Sequence, residues 1–97
     1  MTQQSGAERY ATKIGNVLNY FVFSGSLNRF EASYQLYDTA LNSTVSDLAN
    51  GYGLDFDKCW EVVPNRAVGM TRVKRYSLSA VSIEKALRLL KRWQVGP

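Results

Sequence analysis

Two groups of side chains in this sequence have the types and spacing to do chemistry, and both suit binding rather than catalysis. Thr39, Asn42, Ser43, Ser46 and Asn50 bring hydroxyls and amides to one short stretch. Amides pair with adenine edges and hydroxyls with several bases, so such a set can read a nucleic-acid groove without any charge of its own. Arg66, Arg72, Lys74 and Arg75 form the second group. Cations collected on a short segment neutralise phosphates, which supplies affinity and orientation rather than sequence information.

Catalysis has far less to draw on. The chain contains no histidine and a single cysteine, Cys59, which therefore has no partner for a zinc site, a thiol–imidazole pair or an internal disulfide. Cys59 is expected to be a small, half-buried strand residue, because free cysteine is commonly buried. General acid–base work would fall to carboxylates alone, and Glu31, Asp38, Asp47, Asp55, Asp57 and Glu61 form no evident pair. Asp55-x-Asp57 comes nearest, but it lacks the further ligands of a calcium loop and is expected to cap the start of a strand. No enzymatic activity, metal or cofactor is expected.

The elements that would position the two groups can be read from periodicity. Leu41, Val45 and Leu48 recur at a spacing of four and three, which predicts a helix over 40–50 with Asn42, Ser43, Ser46, Asp47 and Asn50 on its other face. Asp38 or Thr39 supplies the oxygen that caps its start, and Gly51 can end it in the left-handed conformation. Upstream, Asn28 and Glu31 have the spacing of a capping box, with Leu27 as a hydrophobic staple and Ala32 and Leu36 facing inward. Residues 28–50 are thus a helix-turn-helix pattern.

A β-ribbon is predicted over 57–78. Cys59 to Val63 is β-rich, Pro64-Asn65 starts a turn, Arg66 to Met70 forms the tip, and Thr71 to Leu78 returns. Counting by twos, Tyr76 and Leu78 share the face that points into the core, with Val73 and Arg75 on the other. Arg66, Arg72, Lys74 and Arg75 are left on the tip and sides.

Helices are also predicted at both ends. From Glu8 to Phe23 the stripe is Tyr10, Ile14, Val17, Leu18 and Phe21, while Tyr20, Val22 and Phe23 fall off it, so this helix is expected to be buried on more than one side. Gly15 within it costs about 1 kcal/mol relative to alanine unless a close approach requires it. The final helix, 82–94, is capped by Ser79 or Ser82 and carries Ile83, Ala86, Leu87, Leu90 and Trp93 inward. Its basic residues concentrate in the last turns, where the helix dipole favours them. Residues 1–7 are polar and expected to be flexible, although Ser5 and Glu8 have capping-box spacing.

With 97 residues the chain is expected to form one domain, over 8–97, a size that buries about 60–65% of the unfolded chain's surface. The net charge of +4 is uneven. Residues 1–56 hold three basic and five acidic side chains, and residues 57–97 hold nine and three, so a polyanion meets the second half first. No apolar run reaches the roughly 18 residues of a membrane span, and the start MTQQSGAERY lacks the layout of a signal peptide. A cytoplasmic protein is expected.

The order of elements and several residues resemble the small winged helix-turn-helix proteins of bacteriophages and prophages. The similarity runs from about Val17 to Leu78 and is carried by Val17-Leu18, Phe21, Gly25, Leu27, Glu31-Ala32, Leu41, Val45, Asp47-Leu48, Gly51-Tyr52, Leu54 and Val73-x-x-Tyr76-x-Leu78. The resemblance implies a winged-helix fold (α+β and mostly helical, with a three-helix core, a β-hairpin wing and here an added C-terminal helix). It also implies location in the cytoplasm of a bacterial host and binding to double-stranded DNA. Helix 40–50 would then enter the major groove and the wing would grip phosphates. The sequence departs from that family where arginines are common on the second helix of the pair, having Ala40, Thr44 and Ala49, and where the turn commonly has glycine, having Tyr37-Asp38.

A second reading keeps the fold and changes the partner. The helix 40–50 is neutral to acidic, and Tyr20, Phe23, Tyr34 and Tyr37 are surplus aromatics that could form an exposed patch for a host or phage protein, as in an anti-host or assembly factor. The two terminal helices could also build a homodimer, or simply pack on each other.

Overall fold

The computed structural model describes residues 12–67 and 69–93, and over them the chain is α+β and mostly helical. The helices are α1 (Lys13–Phe23), α2 (Arg29–Leu36), α3 (Leu41–Tyr52) and α4 (Ile83–Trp93), and the strands are β1 (Phe56–Asn65) and β2 (Gly69–Leu78). The expectations for residues 1–7, the Ser5–Glu8 cap, Tyr10, Val68 and the last residue of helix 82–94 lie outside the described residues.

Helix α1 starts at Lys13 rather than Glu8. Thr12 is extended (φ −118°, ψ 153°) and its hydroxyl oxygen accepts from the Gly15 amide at 3.1 Å, so no continuous helix can pass through it. The expected burial on two sides is present. Val17 and Phe21 pack with Leu27, Ala32, Leu41, Val45 and Tyr76 in one cluster, while Leu18 packs with Leu48, Leu54, Ala86 and Leu90 in another. The helix therefore divides the core into a half facing α2, α3 and β2 and a half facing α4.

Both bonds of the predicted capping box open α2: the Glu31 amide donates to Asn28 Oδ1 at 2.9 Å and the Asn28 amide to Glu31 Oε1 at 3.1 Å. The turn to α3 is made without glycine. Tyr37 takes the left-handed conformation (φ 57°), and Asp38 follows with its side chain fully buried. Asp38 Oδ1 accepts from the Ala40 amide at 3.0 Å and Oδ2 from the Thr44 hydroxyl at 2.7 Å, with Lys13 Nζ at 3.3 Å from Oδ1. Neither candidate caps α3: the N-cap position is Ala40 and no side chain bonds a first-turn amide, Asp38 instead holding the Ala40 amide and the Thr44 hydroxyl. Thr39 is exposed.

The end of α3 lies two residues beyond Gly51, at Gly53 (φ 70°). The left-handed turn at Gly53 brings the Leu54 amide to 3.4 Å from the Leu48 carbonyl oxygen and seats Leu54 against Leu48 in the core, a contact that Gly51 could not have made.

The strands of ten residues pair antiparallel from Phe56↔Leu78 to Asn65↔Gly69, so the hairpin is longer than predicted and Pro64 lies within it opposite Met70 rather than in the turn. Asn65 Oδ1 accepts from the Ala67 amide at 2.8 Å, and Gly69 has φ 87°. Tyr76 is buried as expected, and its amide and carbonyl exchange bonds of 2.8 and 2.9 Å with Leu27, which fastens β2 to the segment between α1 and α2. Cys59 is exposed, not half-buried.

A 3-10 turn, Ala80–Ser82, leads into α4, and neither predicted serine caps that helix. Ser79 makes no side-chain cap bond, and Ser82 Oγ instead accepts from the Asp55 amide at 2.8 Å. The inward stripe is Ala86, Leu89, Leu90 and Trp93; Leu87, one residue round from Ala86, faces out. Trp93 also meets Tyr52 edge-on at 5.0 Å.

Candidate nucleic-acid interface

The register of the hairpin decides which of its cations act together. Lys58↔Tyr76, Trp60↔Lys74 and Val62↔Arg72 are directly opposite pairs two residues apart, so all six side chains belong to one face. On it the Arg72 guanidinium lies 4.5 Å and the Lys74 ammonium 5.1 Å from the centre of the Trp60 ring. These distances are those of cation–π contacts, which hold both cations beside the indole.

This face borders α3. A groove of about 400 Å³ lies between them, lined among others by Arg29, Asn42, Trp60, Arg72, Lys74 and Tyr76. A second, of about 310 Å³, runs along α3 and is lined among others by Asn42, Ser46, Ala49, Asn50, Lys58 and Tyr76. Asn42 and Tyr76 belong to both, so the two grooves form one concavity with polar helix on one wall and basic ribbon on the other. Asn50 Nδ2 donates to Ser46 Oγ at 3.1 Å, which fixes the two side chains on this wall.

The cations of the concavity make no ion pair among the described residues, although Asp55 also lines the second groove. Among the described residues the ion pairs are Lys13 with Asp38, Arg75 with Glu31 and Glu61, and Arg88 with Glu84. Arg29, Lys58, Arg72 and Lys74 therefore face the concavity without a carboxylate partner.

Of the sequence-predicted residues, Asn42, Ser46, Asn50, Arg72 and Lys74 are brought together here. Ser43 is exposed on α3, but it and Thr39 line neither groove, and Arg66 stands exposed at the hairpin turn. Arg75 is the clear correction. Its Nη1 and Nη2 donate to Glu31 Oε1 and Oε2 at 2.9 and 2.8 Å, its Nε to both oxygens of Glu61 at 3.0 Å, and Nη1 also to Ser26 Oγ at 2.8 Å. All its donor nitrogens are taken by the protein, so it is a brace between hairpin and α2 rather than a free phosphate ligand.

The same brace perturbs its carboxylates. Hydrogen bonding from Arg75 holds Glu31 below its usual pKa, helped by the Asn28 amide and opposed by burial. Glu61 is lowered by Arg75 and then by Asn28 Nδ2, which donates to it at 2.7 Å, and the Arg75 guanidinium is raised in turn.

Thr44 also departs from expectation: it sits buried on Asp38 rather than outward where an arginine would stand. Three lining residues were missed, namely Arg29, Lys58 and Trp60. Alternation along β1 links Lys58 to Trp60, but placing either beside Arg72 and Lys74 requires the register of the hairpin.

Elsewhere, Phe23, Tyr34 and Tyr37 are 67%, 85% and 86% exposed, while Tyr20 is partly buried against the first core cluster. The apolar faces of α1 and α4 pack on each other. Among the described residues no group of three or more His, Cys, Asp or Glu side chains is placed to hold a metal, and no helix is long and apolar enough to cross a membrane. Comparison of the chain with protein-family models, curated proteins and solved structures returns no match.

Proposed function

We propose that this chain is a winged helix-turn-helix DNA-binding protein of the bacteriophage or mobile-element kind, acting in the bacterial cytoplasm as a regulator of transcription or another DNA transaction. In this reading α3 enters the major groove of double-stranded DNA with Asn42, Ser43, Ser46 and Asn50 near base edges. The β1–β2 hairpin is the wing, its Arg72 and Lys74 set against phosphates. The observation that carries the reading is the position of Asn42, shared by both grooves between a polar helix wall and a row of unpaired cations.

Fluorescence anisotropy against mixed-sequence and selected duplexes over a salt series tests it. Each lost phosphate contact lowers the slope of log K on log salt by about 0.9, so an Arg72→Ala/Lys74→Ala variant should bind more weakly with a slope reduced by up to about twice that. Failure of the wild-type chain to bind any duplex at low salt ends this reading.

The exposure of Phe23, Tyr34 and Tyr37 favours a second reading, a protein-interaction module on the same scaffold whose partner is a host or phage protein. A Tyr34→Ser/Tyr37→Ser variant that loses a captured partner while its duplex binding is unchanged would support it. A homodimer through the terminal helices would have to use surface beyond the faces that α1 and α4 already spend on each other, and analytical ultracentrifugation decides that point.

A further inference from the structure

The groove face of the hairpin is built in two columns. β2 supplies Lys74, Arg72 and Met70, and opposite them β1 supplies Trp60, Val62 and Pro64. Trp60, Val62 and Met70 are all more than half exposed, with the Arg72 and Lys74 cations 4.5 and 5.1 Å from the centre of the Trp60 ring. A ribbon that only grips a duplex backbone needs the cations and the part of the indole that holds them, but not the more than half of it left exposed, since the faces of paired bases are hidden in the stack. An unpaired strand offers both phosphates and bare base faces, and a basic groove with an aromatic platform is the chemistry that retains it.

Resting on the nucleic-acid reading above, we propose that the groove between the hairpin and the start of α3 binds an unpaired DNA strand adjoining the duplex, with a base stacked against Trp60 and phosphates on Arg29, Arg72 and Lys74. Arg29, its guanidinium over the Phe30 ring at 4.8 Å, lines the groove from α2, and Arg72 and Lys74 line it from β2 beside the indole. The groove volume of about 400 Å³ falls in the range of small-ligand sites. Asn42, on the boundary between the grooves, is where the duplex on α3 would give way to the open strand. Lys58, on the second groove, continues the basic path along the duplex side.

The test compares a blunt duplex with the same duplex carrying an unpaired oligo-dT tail. Wild-type protein should bind the tailed form about tenfold more tightly, the effect expected of one stacked base. Trp60→Ala should abolish that advantage, read as the ratio of tailed to blunt affinity because Trp60 also holds Arg72 and Lys74, and Trp60→Tyr should retain most of it. In a Trp93→Phe background, emission from Trp60 should be quenched by the tailed duplex and little changed by the blunt one. Equal binding of the two forms, or equal weakening of both by Trp60→Ala, overturns this inference and leaves the duplex-binding reading standing. Failure to bind either form overturns both. Thermal unfolding of Trp60→Ala, whose side chain is 58% exposed, checks that the variant is folded.

Discussion

Arg75 on β2 and Glu31 in the first turn of α2 are joined by two parallel hydrogen bonds, of 2.9 and 2.8 Å, across 44 residues of sequence. Glu31 is at the same time half of the capping box of α2, so one carboxylate starts the helix and anchors the hairpin to it. Arg75→Ala removes this tie and the bonds to Glu61 and Ser26. Charge-assisted bonds of this kind contribute about 1.5–3 kcal/mol when buried, and partial exposure reduces the figure. A loss of about 2 kcal/mol is expected, seen as a fall of roughly 10 °C in Tm by circular dichroism. Arg75→Lys, which keeps the charge but loses the fork, should recover less than half. The salt slope of duplex binding should not change in either variant, in contrast to Arg72→Ala.

Acid should weaken the same brace. Glu31 and Glu61 both have folded-state pKa values below the ordinary 4.5, so near and below that pH the unfolded chain binds more protons than the folded one. Their contribution is complete above the unfolded value and is lost as pH falls through the lower folded value. The urea midpoint should therefore be flat with respect to these groups from about pH 7 to 5 and drop as pH falls below 4.5. Arg75→Ala removes the largest cause of both shifts, so its acid limb should be shallower. Parallel acid limbs for the two proteins would show that the carboxylates are not held by Arg75.

The turn between α2 and α3 joins a strained residue to a buried charge. Tyr37 has φ 57° and a side chain that is almost wholly exposed, so Tyr37→Gly relieves the left-handed conformation and loses little packing. The relief is about 1 kcal/mol, offset in part by the greater freedom of glycine in the unfolded chain, for a net gain of about 0.5 kcal/mol. Asp38→Ala works in the opposite direction, removing the acceptor of the Ala40 amide and leaving the buried Thr44 hydroxyl only its 3.4 Å contact to the Ala40 carbonyl oxygen. A loss of about 2–4 kcal/mol is expected, with Thr44→Val costing about 1–2 kcal/mol because it leaves Asp38 Oδ2 without its donor. Chemical denaturation of the three variants against wild type checks both signs.

What could be read in advance follows the range of the forces involved. The Asn28–Glu31 box and the Leu41, Val45 and Leu48 face depend on residues three or four apart, and both were legible. The two-sided burial of α1 was legible too, because Val17, Leu18, Phe21 and Val22 occupy more of its circumference than one interface can cover. Arg75 was not separable from Arg72 and Lys74 by composition, since the carboxylates that claim it lie 14 and 44 residues away. Alternation did place Arg75 apart from Tyr76, but only the folded hairpin brings Glu61 and Glu31 to it. The burial of Thr44, where the resembled family commonly has an arginine, has a similar cause, because the buried carboxylate of Asp38 accepts its hydroxyl. The concavity itself depends on strand register, which alternation along a single strand does not give and which sets Trp60 opposite Lys74.

Asp47 offers the most direct discrimination between a DNA-reading and a protein-binding α3. It is exposed on the outer face of the helix, beyond Ser43 and Asn50 as seen from the hairpin, and among the described residues it makes no ion pair. If α3 lies in a major groove, Asp47 faces a phosphate wall and opposes binding. Asp47→Lys would then remove a repulsion and add a counterion-releasing contact, steepening the salt slope by about 0.9 and raising low-salt affinity. Sequence preference should be retained, since Asn42 and Asn50 are untouched and a base-pair mismatch should still cost about 1–3 kcal/mol. Anisotropy titrations against a preferred and a scrambled duplex at several salt concentrations measure both quantities. An Asp47→Lys protein whose duplex affinity and slope equal the wild type's would place α3 away from DNA, because a lysine within a Debye length of the backbone cannot be silent at low salt.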